Sequence, residues 1–475
     1  MPQIQTSPTP RPEIRRRRRP VRSTSGNGAT FAVALVLVGT VVGLAFGLQT
    51  NDYNIWGAFI VGPILLLLAL PLALSCARVE GDPRLVPFIM GAAFAKIIGG
   101  AVARYAMVYV LYDSGDARLY DERGLALAAQ FRDGDFSGIG KLTSTEFIET
   151  LTGFVYTVTG PTQLGGFMVY SFFAFVGTYL AYRAFRLGYP DGDARRYRWL
   201  IFFFPTMLFW PSSVGKDAFM VLCLGACMYG VAAVVQGRLT GLIVLGLGVW
   251  GSVVVRPHVT LIVLVGFAVA LPVSLLRGTN GEVEDRATRH RLTGLVAVVA
   301  VVLALGAVVS AAEDRFKLDE LNPESAQGVF EEVNRTTGQG GSSFTAPNVN
   351  SPPGLIAAAV TVIARPFPWE AKNIQSLLTA AEGLLLVLML VLAARRLRSL
   401  PALLLREPYV AFAAVYCVGF IVAFVNVENF GILARQRVQM LPALLVLVSL
   451  APVENRRFES ETVVSASSDA GHASH

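Results

Sequence analysis

Charge is scarce in this chain. Asp, Glu, Lys and Arg together make up 15% of its residues, well below the roughly 25% of soluble domains, and that excludes an ordinary soluble globular protein. The four cysteines, Cys76, Cys223, Cys227 and Cys417, fall in or at the ends of apolar runs and show no CxxC spacing. They read as small buried apolar residues, which excludes a disulfide framework or a zinc knuckle. No cluster of metal-ligating residues is recognisable and no cofactor is called for; dependence on a divalent metal stays open. No small-x-small cleavage signature follows Leu48, so the first apolar run is expected to be a retained helix and not a signal peptide. A separate soluble domain and a convincing internal repeat are also missing.

What fills the chain instead is hydrocarbon, with 53% hydrophobic residues. Apolar runs lie near Phe31 to Leu48, Trp56 to Cys76, Pro87 to Leu111, Leu164 to Tyr182, Trp199 to Trp210 and Ala218 to Val235. Others follow at Leu242 to Val255, Val259 to Leu276, Leu292 to Ala311, Leu377 to Ala394, Val410 to Val425 and Met440 to Leu450. They predict an all-α polytopic membrane protein of about twelve transmembrane helices, two of them short, as broken or tilted helices are. The expected organisation is a basic tail over 1–30, a membrane domain over 31–452 with long external loops at 112–163 and 313–376, and a second tail over 453–475. The formal charge of +7 is carried largely by arginine. Starting inside with the Arg15 to Arg19 run, alternation of the helices puts Arg78, Arg84, Arg183, Arg186, Arg238, Arg277, Arg395, Arg396 and Arg456 on the cytoplasmic side, as the positive-inside rule requires. Both termini are therefore expected in the cytoplasm, and the Arg15 to Arg19 run reads as an orientation signal or a contact with anionic lipid, not a nucleic-acid site. The Gly246-x-Gly248-x-x-Gly251 match to a dinucleotide fingerprint lies inside an apolar run with no strand before it, so it reads as helix packing, as does Gly43-x-x-x-Gly47.

Charges left on the external side need another explanation. Asp113 and Asp116 stand where an apolar helix exits, just before Ala117 to Arg132, whose Leu119, Leu125, Leu127 and Phe131 give an amphipathic surface helix. These carboxylates either cap that helix or serve as a base toward an acceptor hydroxyl. Lys216 and Asp217 open a helix after the tight Pro211-Ser-Ser-Val-Gly turn, where backbone N–H groups, the helix dipole and an ammonium converge on one point. They bind an anion or pair internally. Arg256-Pro257-His258 joins two helices with almost no loop and leaves an arginine at the hydrocarbon boundary, to be paired, turned to a cavity or snorkelled to lipid. In the long loop, Gly354 to Ala364 is too short to span and reads as an interfacial helix that delivers Arg365 and Glu370, with Phe367 and Trp369 as anchors. Arg365 and Glu370 pair with each other or touch a ligand. Arg435 and Arg437 precede the last helix and offer two forks suited to phosphate.

Cations that neutralise a phosphate leaving group and a carboxylate that activates an acceptor form a set suited to a lipid-linked phosphate substrate. The run Asp113-Ser-Gly-Asp116-Ala-Arg-Leu-Tyr120-Asp-Glu-Arg-Gly, with Gly134-Asp-Phe136 after it, resembles the first extracytoplasmic loop of GT-C glycosyltransferases. The resemblance implies a GT-C-like membrane fold, a polyprenyl-phosphate sugar donor, a glycan or lipid acceptor at the outer face of a bacterial cytoplasmic membrane, and a catalytic base at Asp116 or Asp113. Phe209-Trp-Pro-Ser-Ser-Val-Gly-Lys216-Asp217, Arg365-Pro-Phe-Pro-Trp369 and Asn429 to Arg437 are similar to runs in multispanning proteins of bacterial surface-polysaccharide pathways, including O-antigen-polymerase-like ones. GT-C enzymes usually begin with the helix that leads into the acidic loop, whereas here two helices precede that helix, and the adjacent acidic pair of that family is replaced by Asp113-x-x-Asp116 or Asp121-Glu122. The alternatives are a polymerase joining pyrophosphate-linked repeat units, a transporter or flippase, and a scaffold in a synthase complex.

Overall fold

The structure, a computed structural model, describes residues 52–112, 115–277, 292–306, 351–427 and 429–451, with a few isolated positions outside these stretches. Asp113, both tails, the loop over 313–346 and most of the first apolar run fall outside the described residues. The described chain is all-helical and has the character of a polytopic membrane protein.

Among the described residues, six helices are long and apolar enough to cross a bilayer. They are α1 (Tyr53–Glu80), α2 (Leu85–Leu111), α5 (Gln163–Gly188), α8 (Lys216–Val235), α10 (Pro257–Arg277) and α13 (Ile374–Leu392). Two helices, α3 (Asp116–Arg132) and α4 (Ser144–Thr159), pack against each other in the first long loop. Next come α6 (Ala194–Phe203) and α7 (Pro205–Phe209), then α9 (Thr240–Val255), α11 (Leu292–Gly306) and α12 (Pro352–Ala364). The chain closes with α14 (Pro408–Phe424), α15 (Phe430–Gln436) and α16 (Leu441–Val448).

Among the described residues there are six such spans, or seven if the bent pair around Met440 is counted as one, against the twelve that the hydropathy predicts; the first predicted run, Phe31 to Leu48, lies mostly outside these residues. For several of the other runs the cause is geometric. A helix of 16 residues such as α9 rises about 24 Å, short of the roughly 30 Å hydrocarbon thickness. The apolar run near Trp199 to Trp210 is broken instead of continuous: Phe204 is extended and Pro205 opens a new helix. The last run bends by 65° between Gln439 and Leu441, where Pro442 sits in the first turn of α16.

The centre and rim of the bundle follow from composition. In α8, 78% of the apolar window is buried, against 28% in α13, so α8 is the central helix and α13 keeps most of its apolar surface for lipid. Small residues allow the tightest crossing: Gly177 of α5 and Gly225 of α8 face each other so closely that a Cβ on either would strike the other helix's backbone. Gly248 and Gly251 press on Cys223 and Cys227, which places that glycine pattern in helix packing. At the end of the bundle away from α3 and α4, Glu80 accepts from Arg186 at 3.2 Å and Tyr182 at 3.0 Å. Nearby, Arg396 joins Asp193 at 3.0 Å to the Leu450 carbonyl at 2.8 Å. These contacts clamp α1 to α5 and the α6 start to the chain's last turn.

Candidate functional site

Two glycines begin the site. Gly115 has φ 127 and Gly215 φ 146, backbone regions open to glycine and strained for other residues. Each releases the chain directly into a helix, so that Asp116 opens α3 and Lys216 opens α8 at the same end of the bundle. A third approach comes from the α9 to α10 corner at Arg256, and a fourth from α15.

The four segments meet in one ionic network. Asp217 accepts from Arg256 Nη2 at 2.9 Å and from Arg435 Nε, while Arg435 Nη1 reaches Asp116 at 2.7 Å. The two carboxylates differ in their access to solvent, with the Asp217 side chain 6% exposed and that of Asp116 56% exposed. Asp217 is therefore the buried counter-charge that holds two guanidinium groups in place, and Asp116 is the carboxylate open to an incoming molecule. Removing a buried partner of this kind leaves an uncompensated charge, which is destabilising. One atom of the network is unmatched: Arg256 Nη1 is buried without a hydrogen-bond partner, and such a group needs an acceptor.

Beside the network lies a cavity of about 300 Å³ lined by Asp116, Tyr120, Lys216, Arg256, His258 and Arg435, among others. Lys216 Nζ donates to Ser144 Oγ at 3.0 Å and Thr145 Oγ1 at 2.8 Å, so α4 props the ammonium at the cavity wall. Ser144 has φ 52, a left-handed conformation that side chains rarely adopt. The His258 ring packs on Phe424, with centroids 5.7 Å apart.

Of the residues singled out in the sequence, the structure brings together Asp116, Lys216, Asp217, Arg256, His258 and Arg435 around this cavity or directly beneath it. Arg365, Glu370 and Arg437 are grouped on the other side of α15. Arg365 Nε lies 3.0 Å from Glu370 Oε1, and its guanidinium stands 5.1 Å from the Phe430 ring centroid. Glu370 also accepts from the Phe367 backbone N–H at 2.8 Å. Arg437 is buried and donates to the carbonyls of Val362 and Arg365, closing the C-terminal end of α12. A second cavity of about 410 Å³, bordered by Trp210, Glu370, Gln375 and Phe430, lies next to this group. Among the described residues, no three His, Cys, Asp or Glu side chains converge on one point.

Tyr120, Ser144, Arg104 and the surroundings of Asp121 are not marked as a site by any local sequence pattern. Tyr120 follows Asp116 by one helical turn, a spacing that puts both on one face of α3. Asp121 is fully buried and accepts from the Tyr109 and Tyr156 hydroxyls and, at 2.7 Å, from Gln163 Nε2. Burial pushes its carboxyl up to about 6 despite the Tyr109 and Gln163 donors. It thus ties α3 to α2, α4 and α5 and sets the height at which Asp116 stands.

Compared with protein-family models, with curated proteins and with solved structures, the chain matches none of them.

Proposed function

We propose that the protein transfers a sugar from a polyprenyl-phosphate donor to a glycan or lipid acceptor at the outer face of a bacterial cytoplasmic membrane. The observation that carries this reading is the cavity in which Lys216, Arg256 and Arg435 face one solvent-open carboxylate, Asp116. The three cations hold the donor phosphate. Asp116 takes the proton of the acceptor hydroxyl as its oxygen attacks the anomeric carbon, and the bond from that carbon to the phosphate oxygen breaks with its electron pair going to the phosphate. The leaving phosphate thereby gains a negative charge, which the preorganised cations stabilise. Attack on the face opposite the phosphate inverts the anomeric centre.

Cells carrying intact protein or Asp116→Asn at equal abundance test this reading by mass spectrometry of their membrane lipids. A positioned base contributes about 10²- to 10⁴-fold, so the variant is expected to accumulate a single-sugar polyprenyl phosphate. An unchanged lipid pool removes the assignment of Asp116 as base.

One observation favours a second reading. Asp116 is already engaged by Arg435 at 2.7 Å, an arrangement suited to an enzyme that relies on its arginines more than on a carboxylate, such as a polymerase joining pyrophosphate-linked repeat units. In that case a pyrophosphate-linked repeat unit accumulates, and Arg256→Gln or Arg435→Gln is more damaging than Asp116→Asn.

A further inference from the structure

Arg104 is an anomalous cation among the described residues. It sits in α2, about 10 Å along the helix from Leu111 at 1.5 Å per residue, and so within a segment that has the length and hydropathy of a membrane span. A charge at that depth is costly, and such residues are normally paired or turned to a polar cavity. Among the described residues, no carboxylate pairs with Arg104 and no acceptor reaches it, and its Nε is buried without a partner. The side chain is half-buried, not enclosed.

Its surroundings hold it in place without neutralising it. The guanidinium carbon lies 4.8 Å from the Phe209 ring centroid and 5.0 Å from that of Trp210, so the two rings fix the plane of the group and leave its N–H fork unused. The backbone is adjusted on both sides: π-helical turns at Ala95–Gly100 and Ala106–Leu111 flank the short α-helical stretch Ala101–Tyr105, and such bulges are frequent at functional sites. Lys96, one helical segment deeper, donates to the Met207 carbonyl, and as a second cation it adds to the positive charge that an anion would meet. Asp217 and Arg435 are near enough to act on Arg104 electrostatically, so it belongs to the same region as the cavity.

We propose that Arg104 is an anion-binding residue at membrane depth whose guanidinium takes the phosphate ester of a lipid-linked ligand, which arrives with its hydrocarbon chain in the bilayer. This deepens the reading given above, on whose ligand chemistry it rests. The platform orients the fork, and a phosphate oxygen supplies the acceptor that the described residues do not.

The test is binding of farnesyl phosphate, inorganic phosphate and farnesol to the full-length protein in lipid nanodiscs, followed by calorimetry, for wild type, Arg104→Gln, Arg104→Lys and Arg256→Gln. A hydrogen-bonded charge pair is commonly worth tenfold or more in affinity. Arg104→Gln is expected to weaken farnesyl phosphate by about that factor, and Arg104→Lys, which keeps the charge and loses the fork, by less. Farnesol should be indifferent to both. If both Arg104 variants bind farnesyl phosphate as wild type does while Arg256→Gln loses it, the Arg104 site is overturned and the cavity reading stands. If Arg104→Gln weakens binding and Arg256→Gln does not, the Arg104 site stands and the cavity reading falls. Inorganic phosphate bound as tightly as farnesyl phosphate, with the same dependence on Arg104, keeps the anion site and overturns its lipid source. Should Arg104→Gln not fold, Arg104→Lys decides: unchanged affinity overturns the proposal.

Discussion

At the scale of single residues, the same side chain, aspartate, plays three parts according to its surroundings. Asp116 is open and engaged by Arg435, Asp217 is buried between two guanidinium groups, and Asp121 is buried among hydroxyl and amide donors. Asp217→Asn leaves Arg256 and Arg435 facing each other without their shared counter-charge, and is expected to cost about 3–5 kcal/mol, read as a lowered melting temperature of the purified protein. Asp116→Asn, at an exposed position, is expected to leave that temperature nearly unchanged. Asp121 gives a pH signature. Burial lifts its carboxyl to about 6 in the folded protein from an ordinary 3.8, so the unfolded chain loses this proton first as pH rises. Stability from this group is therefore full below about 3.8 and is lost as pH climbs through 6, by roughly 3 kcal/mol. Melting curves between pH 4 and 7 should show that slope in wild type and lose it in Asp121→Asn. The candidacy of Asp116 and Asp217 was legible in the sequence, and Asp121 stood there only in an alternative acidic pair; which of them is buried was not legible. Which carboxylate is buried depends on contacts between residues 39 and 218 positions apart, and no local pattern encodes them.

At the scale of elements, the helix starts matter most. The Pro211-Ser-Ser-Val-Gly turn was readable as a tight entry into a helix, and Gly215 at φ 146 is the residue that makes it one. Gly215→Ala forces a side chain into a conformation suited to glycine and is expected to cost about 1–3 kcal/mol, seen as a lower melting temperature together with weaker phosphate binding. Gly225→Ala acts through packing alone: its Cβ meets the backbone of Gly177, so α5 and α8 must separate, at about 1–3 kcal/mol, while Asp116 and its cavity keep their partners. The interfacial helix expected over Gly354 to Ala364 corresponds to α12, and the amphipathic run Ala117 to Arg132 corresponds to α3. The π-helical turns around Arg104 had no sequence signal, because the residues forming them are ordinary for an apolar helix and the extra residue per turn is set by packing on α5 and α7.

At the scale of the whole molecule, the ion pairs named above are sorted by end among the described residues. The network of Asp116, Lys216, Asp217, Arg256 and Arg435 occupies one end, and the clamps of Glu80 with Arg186 and Asp193 with Arg396 occupy the other. If the arginine-rich loops are cytoplasmic, the cavity faces outward. Single cysteines decide this. The four native cysteines are buried and give little background, so a membrane-impermeant maleimide applied to intact cells is expected to label Ser137→Cys and to leave Gln236→Cys unlabelled until the membrane is permeabilised. The opposite pattern would place the cavity in the cytoplasm and remove the proposed site of transfer.

Composition and apolar run length were sufficient to establish a helical, many-times-spanning membrane protein, because hydrocarbon admits helices whose backbone groups are satisfied internally and penalises most other structures. They also marked the places where charge was out of keeping with its surroundings, among them Asp116, Lys216, Arg256 and Arg435. The number of full crossings was left to the tertiary structure, since a short or broken apolar run has the same hydropathy whether it spans or tucks against a neighbour. So was the partition of those charges: Arg256 and Arg435 converge on Asp217 at one cavity, whereas Arg437 is spent on the carbonyls that end α12. Pairing between distant helices is a matter of distance and direction in space, and sequence spacing carries neither.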